Sequence, residues 1–153
     1  MGYVDRILQP GETVIHRAKL HWLIYWKAVA LLVAAAALAV VAEQRSDELQ
    51  QGLLYGALAV LALALIAALV AAIRRSSTEL AVTDHRVIFK RGLLSRHTIE
   101  MNRSKVESVD VDQTLMGRLF GYGTILVRGT GGSLEPLANI EDPLALRNHI
   151  TVG

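Results

Sequence analysis

The sequence contains no cysteine, and this absence excludes three kinds of chemistry. A chain without thiols has no disulfide framework, no thiolate zinc site and no cysteine nucleophile. An excess of one charge sign is also missing, since 16 lysines and arginines stand against 14 aspartates and glutamates, a formal net charge of +2. That balance is too small to indicate a nucleic-acid-binding protein. With 153 residues the chain has the length of one domain, which excludes a large multidomain enzyme.

Hydrophobic residues make up 52% of the chain, and they are concentrated in two blocks. The second block, residues 52–73, is 22 residues long and carries no charge. At about 1.5 Å per residue, a helix of that length spans the roughly 30 Å hydrocarbon core of a bilayer. A buried helix of a soluble protein has a polar face, and this block has none. The sequence therefore predicts a transmembrane helix over residues 52–73.

The first block is shorter, because residues 28–42 include only 15 uncharged positions. Extension back to residue 22 gives 21 residues and includes one lysine, whose long stem lets its amine reach the headgroups. Aromatic residues at this end are typical of a membrane interface. We therefore predict a first transmembrane helix over residues 22–42, with four interface anchors: Trp22, Tyr25, Trp26 and Lys27. The alternative is a cleaved signal peptide, but the preceding charged region is too long and contains acidic residues.

The segment between the blocks, residues 43–51, has three acidic residues and one basic residue, Arg45. A connection of this length predicts an antiparallel helical hairpin with both ends on one side. Basic residues flank the hairpin on its outer ends, at Arg17, Lys19, Lys27, Arg74 and Arg75. The positive-inside rule then predicts a two-pass membrane protein with both termini in the cytoplasm and residues 43–51 outside.

Side chains within the two spans indicate packing rather than transport. Ala64, Ala68 and Ala72 repeat every four residues and form a small-residue ridge that a partner helix can approach closely. Residues 28–42 and 52–73 contain no Asp, Glu, His or Arg. Side chains for a proton relay or an ion pathway are therefore missing from these stretches, and the sequence argues against a transporter or channel.

Beyond Arg75 the composition changes to short segments rich in Val, Ile, Leu and Thr, separated by Gly and Asp. Their alternation predicts six strands, over residues 78–83, 86–91, 96–101, 105–112, 124–128 and 133–138. The fourth strand keeps its register only with a bulge near Glu107–Ser108, and Pro136 places the last strand at an edge or in a bulged position. Apolar pairs four residues apart predict a short helix over 114–120, ended by Gly121. Asp142-Pro143 has the pattern of an N-cap and first helical residue, which predicts a C-terminal helix over 144–150.

The N-terminal segment, residues 1–21, is predicted to be cytoplasmic and to supply a further strand. Residues 13–20 alternate in the same way as the later strands, and they lie on the same side of the membrane as residues 76–153. Six strands alone leave two open edges, which small β-domains usually close. The alternative is a stretch that lies along the headgroups. We therefore expect a small all-β domain of about seven strands, beside the two-helix hairpin.

Several turn and core motifs resemble those of the bacterial pleckstrin-homology-like domain of YdbS-type membrane proteins. They occur at residues 83–87, 91–96, 106–111 and 119–125, in the Asp142-Pro143 helix, and at Pro10-Gly11-Glu12 and His21-Trp22 before the hairpin. The resemblance implies a PH-like split barrel with a C-terminal capping helix. It also implies a non-catalytic role in binding or scaffolding, with no agreed ligand. Eukaryotic relatives bind phosphoinositides through the loop between the first two strands, which the hairpin replaces here, so that specificity does not carry over.

No motif in the sequence indicates catalysis, and we predict that the protein is not an enzyme. Gly121-Tyr122-Gly123 and Gly131-Gly132 are interpreted as turn glycines, because neither follows a strand and opens a helix as a phosphate loop does. The five histidines, interpreted as surface or interface residues, lack the spacing of a metal site. The sequence therefore predicts no catalytic residue, no metal, no cofactor, no nucleic acid and no identified small-molecule substrate.

Basic residues near the second helix and in the first strands are predicted to form a patch that faces the anionic inner leaflet. The patch comprises Arg74, Arg75, Arg86, Lys90, Arg91 and Arg96. The alternative is that these residues are simply the polar positions of exposed strands. Two functional hypotheses follow. The protein is a membrane-anchored scaffold that engages another membrane protein or a second copy of itself, or it senses anionic lipid through the basic patch.

Overall fold

The computed structural model describes residues 2–93, 97–130, 132–133 and 136–151. The chain divides into two compact units. The helical unit is Trp22–Ile73, and the β-domain combines Met1–His21 with Arg74–Gly153. The compact β-domain is therefore assembled from both ends of the chain.

The described chain contains five α-helices and eight strands, with two short 3-10 turns, at Trp22–Tyr25 and Arg103–Lys105. The helices are α1 Tyr3–Ile7, α2 Trp26–Glu43, α3 Glu48–Ser77, α4 Leu115–Phe120 and α5 Pro143–Thr151. The strands are β1 Val14–Ala18, β2 Glu79–Thr83, β3 Arg86–Arg91, β4 His97–Asn102, β5 Val106–Asp112, β6 Tyr122–Gly129, β7 Gly132–Ser133 and β8 Leu137–Glu141.

Two segments of the helical unit are long and apolar enough to cross a membrane, judged by length and composition alone. They are Trp22–Glu43, with 22 residues, and Glu48–Ser77, with 30 residues. The second helix extends past the uncharged stretch 52–73 at both ends, because glutamate, glutamine and arginine are good helix formers and no proline interrupts them. The break between α2 and α3 is therefore only residues 44–47.

Alanines at seven-residue spacing are the buried positions of both long helices. They are Ala28, Ala35 and Ala42 on α2, and Ala57, Ala64 and Ala71 on α3. Of the predicted ridge at four-residue spacing, Ala64 is buried and Ala72 is exposed, so a partner helix along that ridge stays a prediction. Seven residues make nearly two full helical turns, so this spacing keeps the small side chains on one face along the whole helix.

The strands of the β-domain form two antiparallel sheets. One sheet has the order β1-β2-β3-β4, and the other has β5 beside β6, with β7 and β8 along the opposite side of β6. Backbone hydrogen bonds join the sheets at one corner, where the Glu141 N–H donates to the Lys19 carbonyl (3.0 Å) and the His21 N–H donates to the Asn139 carbonyl (2.7 Å). At the other corner the barrel is not closed, since among the described residues β4 pairs only with β3 and β5 only with β6.

The main core lies between the two sheets and the C-terminal helix. Its fully buried members include Val82, Val87 and Phe89 from the first sheet, and Ile125 and Val127 from β6. Leu146 and Ile150 of α5 close this core. Burial of each large aliphatic or aromatic side chain contributes about 1.5–3 kcal/mol.

A second core covers the outer face of the first sheet, and the sequence pattern did not predict it. Val4 of α1 packs on Ala81 and Ile88, and all three are buried. The carboxylate of Glu79 accepts the N–H groups of Tyr3 (2.9 Å) and Val4 (3.1 Å) at the start of α1. The N-terminal residues therefore cover β2 and β3 on one face, while β1 pairs with β2 at its edge.

The predicted strands agree with the structure except at the end of the sheet. The bulge expected in the fourth strand is confirmed, because the β5–β6 register shifts between Val106 and Ser108. The single strand expected over 133–138 is wrong, since the described residues there belong to two strands, β7 and β8. Pro136, which has no N–H to donate, lies between them.

Candidate interaction surfaces

Arg86 lies in a buried carboxylate cluster rather than on a basic surface. Its Nε and Nη2 donate to the two carboxylate oxygens of Glu12 (2.9 and 2.8 Å), and its Nη1 donates to Glu100 (2.7 Å). The carbonyl of Ile7 accepts a further bond from Nη2 (2.9 Å). The Arg86 side chain is only 14% exposed. This arrangement corrects the expectation that Arg86 faces a membrane, because its charge is neutralised within the domain.

Glu12 is the centre of this cluster and fastens the N-terminal segment to the sheet. Besides Arg86, its carboxylate accepts the Thr83 hydroxyl (2.7 Å) and the Gln9 N–H (2.9 Å). The hydrogen bond from Arg86 is the largest influence and lowers the pKa of Glu12 to about 2, although burial opposes it. A carboxylate that accepts this many hydrogen bonds is strongly held in its ionised form.

Lys90 is also engaged within the domain. Its Nζ is 3.9 Å from Glu79 Oε1 and 5.8 Å from the centroid of the Tyr3 ring. Its side chain is 12% exposed. Glu79 also accepts the first N–H groups of α1, so Lys90 contributes to the contact between α1 and the sheet. Like Arg86, Lys90 is therefore mostly buried and not part of an exposed basic surface.

The other residues of the predicted basic patch lie at two places on the chain. Arg74 and Arg75 are exposed in the last turn of α3. Arg91 is exposed at the end of β3. Arg96 lies outside the described residues.

The expected interface anchors cluster at the start of the first apolar segment. Trp22 and Trp26 are both more than half exposed, and Tyr25 is half-buried. Lys27 Nζ lies 5.8 Å from the centroid of the Trp26 ring, which is a cation–π distance. Apolar rings and an amine are therefore presented together at this end of the helix.

A groove opens between β4 and the end of β6, next to the corner where the barrel is not closed. Its volume is about 330 Å³, and it is lined by Ile99, Glu100, Met101, Asn102, Lys105, Gly129, Thr130 and Gly132. Along β5 the outward side chains are polar, as at Glu107, Ser108 and Asp110. Backbone groups on the open side of an edge strand can accept a strand from another chain. Sequence patterns did not identify this groove, because its position depends on which strands pair.

The histidines occupy different environments, and one corrects the sequence interpretation. His16 of β1 stacks on His149 of α5 with 4.6 Å between ring centroids, and burial lowers the pKa of His16. His21 is not a surface residue, since it is buried with its ring 5.4 Å from that of Tyr122. Within the described ranges, no three His, Asp or Glu side chains are grouped so that they could hold a metal ion.

The glycine interpretation is supported where the structure describes it. Gly121 ends α4 with a φ of 73°, in the left-handed region that favours glycine, and Gly123 continues into β6. Gly131 lies outside the described residues. The glycine-rich segment around Tyr122 is thus a helix-to-strand turn.

Comparison with protein-family models gives one family, the bacterial PH domain, matched over residues 28–151. Comparison with curated proteins and with solved structures gave no match. The matched range includes α2 from residue 28 onward, all of α3 and every described strand after β1. PH domains are in general non-catalytic binding modules, consistent with a binding or scaffold role. The match extends over well more than half of the chain, and the protein therefore belongs to the bacterial PH domain family.

Proposed function

We propose that this protein is a membrane-anchored, non-catalytic scaffold of the bacterial cytoplasmic membrane, which engages another membrane protein or a second copy of itself. The observation that carries the proposal is that the family match, residues 28–151, includes most of α2, all of α3 and every described strand after β1, so the apolar helices and the strands belong to one family unit. In this proposal residues 22–42 and 52–73 cross the bilayer, and residues 43–51 lie outside. Residues 1–21 and 76–153 are cytoplasmic.

The exposure of the long helices supports the anchoring part of the proposal. Only 11% and 17% of the most apolar windows of the two helices is buried. A core helix of a soluble protein is mostly buried, whereas these helices present aliphatic residues such as Val33, Leu58 and Leu65 on the outside. A continuous apolar surface of this size needs a cover, and lipid provides one. The basic residues at the outer ends of the hairpin support a cytoplasmic location for both termini.

The open corner of the barrel supports the binding part of the proposal. The edge of β5 offers backbone donors and acceptors to an extended segment, and the adjacent groove offers Ile99 and Met101 as apolar contacts. Main-chain hydrogen bonds provide affinity in this mode, and side-chain pockets provide specificity. The exposed carboxylate of Glu107 on β5 favours a partner segment with a basic residue.

The alternative, an anionic-lipid sensor, depends on the basic residues that the domain leaves exposed. Among the described members of the predicted patch, Arg74, Arg75 and Arg91 are exposed, whereas the side chains of Arg86 and Lys90 are mostly buried beside carboxylates. Each basic residue close to an anionic membrane surface contributes about 1 kcal/mol. Fewer such residues make a correspondingly weaker sensor, so the scaffold is the function that we favour.

Photo-crosslinking in cells tests the binding surface. A photoactivatable residue at Ser108, on the open edge of β5, is expected to give a discrete protein adduct, because a partner strand would pass within contact distance. The matched control is Arg6, which is exposed on α1 and away from that edge. We expect no adduct there. Absence of any adduct at residue 108, with anionic lipid retained through purification, would instead favour the lipid sensor.

A further inference from the structure

Helix α4 presents large apolar side chains to the outside of the β-domain. Leu115 is 83% exposed, Leu119 is 74% exposed and Met116 is 59% exposed. Single exposed leucines are common on protein surfaces, but three in a helix of six residues form a contiguous apolar patch. Such a patch marks a surface that contacts a protein or a membrane.

Helix α4 is fixed to the β-domain by hydrogen bonds and by close contact with β6. The Gly117 N–H donates to Thr114 Oγ1 at the N-terminal cap (3.0 Å), and Gln113 Nε2 donates to the Tyr122 carbonyl (3.0 Å). A Cβ at Gly117 would lie 2.6 Å from that same carbonyl, so α4 rests directly on the start of β6. Leu115 and Leu119 are two residues before and after Gly117, which places them on the opposite side of the helix. They therefore point away from the domain.

Helix α4 lies close to the point where the chain leaves the β-domain. Tyr122 follows α4 almost directly, and its ring lies 5.4 Å from the ring of His21, the last residue of the domain before Trp22. Ala18 of β1 pairs with Leu80 of β2, so the chain re-enters the domain beside the strand from which it leaves. Helix α4 thus lies at the end of the domain from which both apolar helices continue.

We propose that α4 is a membrane-insertion element, whose side chains Leu115, Met116 and Leu119 enter the interfacial layer of the bilayer that holds the hairpin. This inference rests on the proposed membrane anchoring. The helix carries one charge, Arg118, and Arg147 of α5 lines the groove beside it. Both suit anionic headgroups. One carboxylate lines the same groove, that of Asp142, which accepts the Ala145 N–H at the cap of α5 (3.3 Å), so arginines outnumber carboxylates there.

The small size of α4 favours lipid over a protein partner. A stable protein interface buries about 800 Å² on each partner, which is far more than six residues provide. Insertion of an element that is already tethered needs no such area, because the hairpin keeps it at a high effective concentration near the bilayer. The insertion would give the domain an attachment besides its two covalent connections and would fix which face it turns to a partner.

Site-specific fluorescence tests the inference on the full chain, and the absence of cysteine makes single labels possible. We would label Leu119→Cys with an environment-sensitive fluorophore and reconstitute the protein in phosphatidylcholine–phosphatidylglycerol vesicles that contain nitroxide-labelled lipid. Thr130→Cys is the matched control, because Thr130 lies beyond the far end of β6, about 25 Å of strand from Tyr122. Leu58→Cys, an exposed position in the middle of α3, reports on the anchor itself.

The inference predicts strong quenching at residues 119 and 58 and at least several-fold weaker quenching at residue 130. Quenching at residue 58 with none at residue 119 would overturn the insertion of α4 and leave the anchor intact. Blue-shifted emission at residue 119 without quenching would also overturn it, by showing that protein covers the helix. Absence of quenching at residue 58 would overturn the proposed anchoring, and the insertion with it.

Discussion

A chain that consists of residues 76–153 alone is expected not to fold, although it contains seven of the eight described strands. It lacks β1, so the edge of β2 is open, and it lacks Val4, so Ala81 and Ile88 lose their cover. It also lacks Glu12, which leaves the Arg86 guanidinium without its main partner. Arg86 keeps Glu100, but removal of one partner from a buried ion pair costs about 3–5 kcal/mol, and a whole domain is stable by only about 5–15 kcal/mol.

The matched control keeps the N-terminal segment and removes the helices. Residues 1–21 joined to 74–153 through a Gly/Ser linker are expected to give a soluble, folded domain, since this combination is the compact unit. Circular dichroism and amide dispersion in NMR spectra distinguish the two chains. A well-dispersed spectrum from residues 76–153 alone would show that the N-terminal segment is dispensable, and would contradict this assignment of the unit.

Glu12→Ala is expected to destabilise the β-domain by about 3–5 kcal/mol, because it leaves Arg86 charged and buried. The double variant Glu12→Ala/Arg86→Met should lose less, since it removes both charges together. Asp110→Ala is the matched control for a surface pair. Arg128, the partner of Asp110, is 58% exposed, and exposed ion pairs contribute about 0–1 kcal/mol. The free energy of unfolding of the linked chain and of its three variants is measured by chemical denaturation.

The pH dependence of the stability difference between the native chain and Glu12→Ala tests the cluster independently. The pKa of Glu12 is lowered in the folded state to about 2, so its contribution is fully present above the unfolded pKa of about 4.3. That contribution is lost as the pH falls from about 4.3 towards 2. The stability difference between the native chain and Glu12→Ala should therefore shrink over this range. A difference that is small at pH 7, or unchanged down to pH 2.5, would contradict the role of the cluster.

Local patterns in the sequence predicted the local elements of this fold. Strand β3 has the predicted bounds, the β5 bulge lies where the apolar spacing is broken, and α4 ends at Gly121. Each of these depends on neighbouring residues in the chain, for which periodicity and turn chemistry are sufficient. The family resemblance, also based on local motifs, is confirmed by the family match.

Features that depend on distant residues could not be predicted in this way. Arg86 was expected on a surface because it starts an alternating strand, but its partner Glu12 is 74 residues away. Helix α1 has only five residues and is capped by Glu79, so its own sequence carries little signal. The open groove follows from the pairing of the strands, and the exposure of Leu115 and Leu119 follows from the docking of Gly117 on β6. Each of these features is determined by contacts between residues that are far apart in the sequence.

Cysteine accessibility in intact cells tests the central claim, that a helical hairpin anchors the protein with both termini in the cytoplasm. Ser46→Cys lies between α2 and α3, and Thr130→Cys lies in the β-domain. We expect the protein in the membrane fraction, with residue 46 labelled by an impermeant maleimide once the outer membrane is permeabilised. Residue 130 should be labelled only after the inner membrane is lysed. Labelling of residue 130 before lysis, or recovery of the chain in the soluble fraction, would contradict the account.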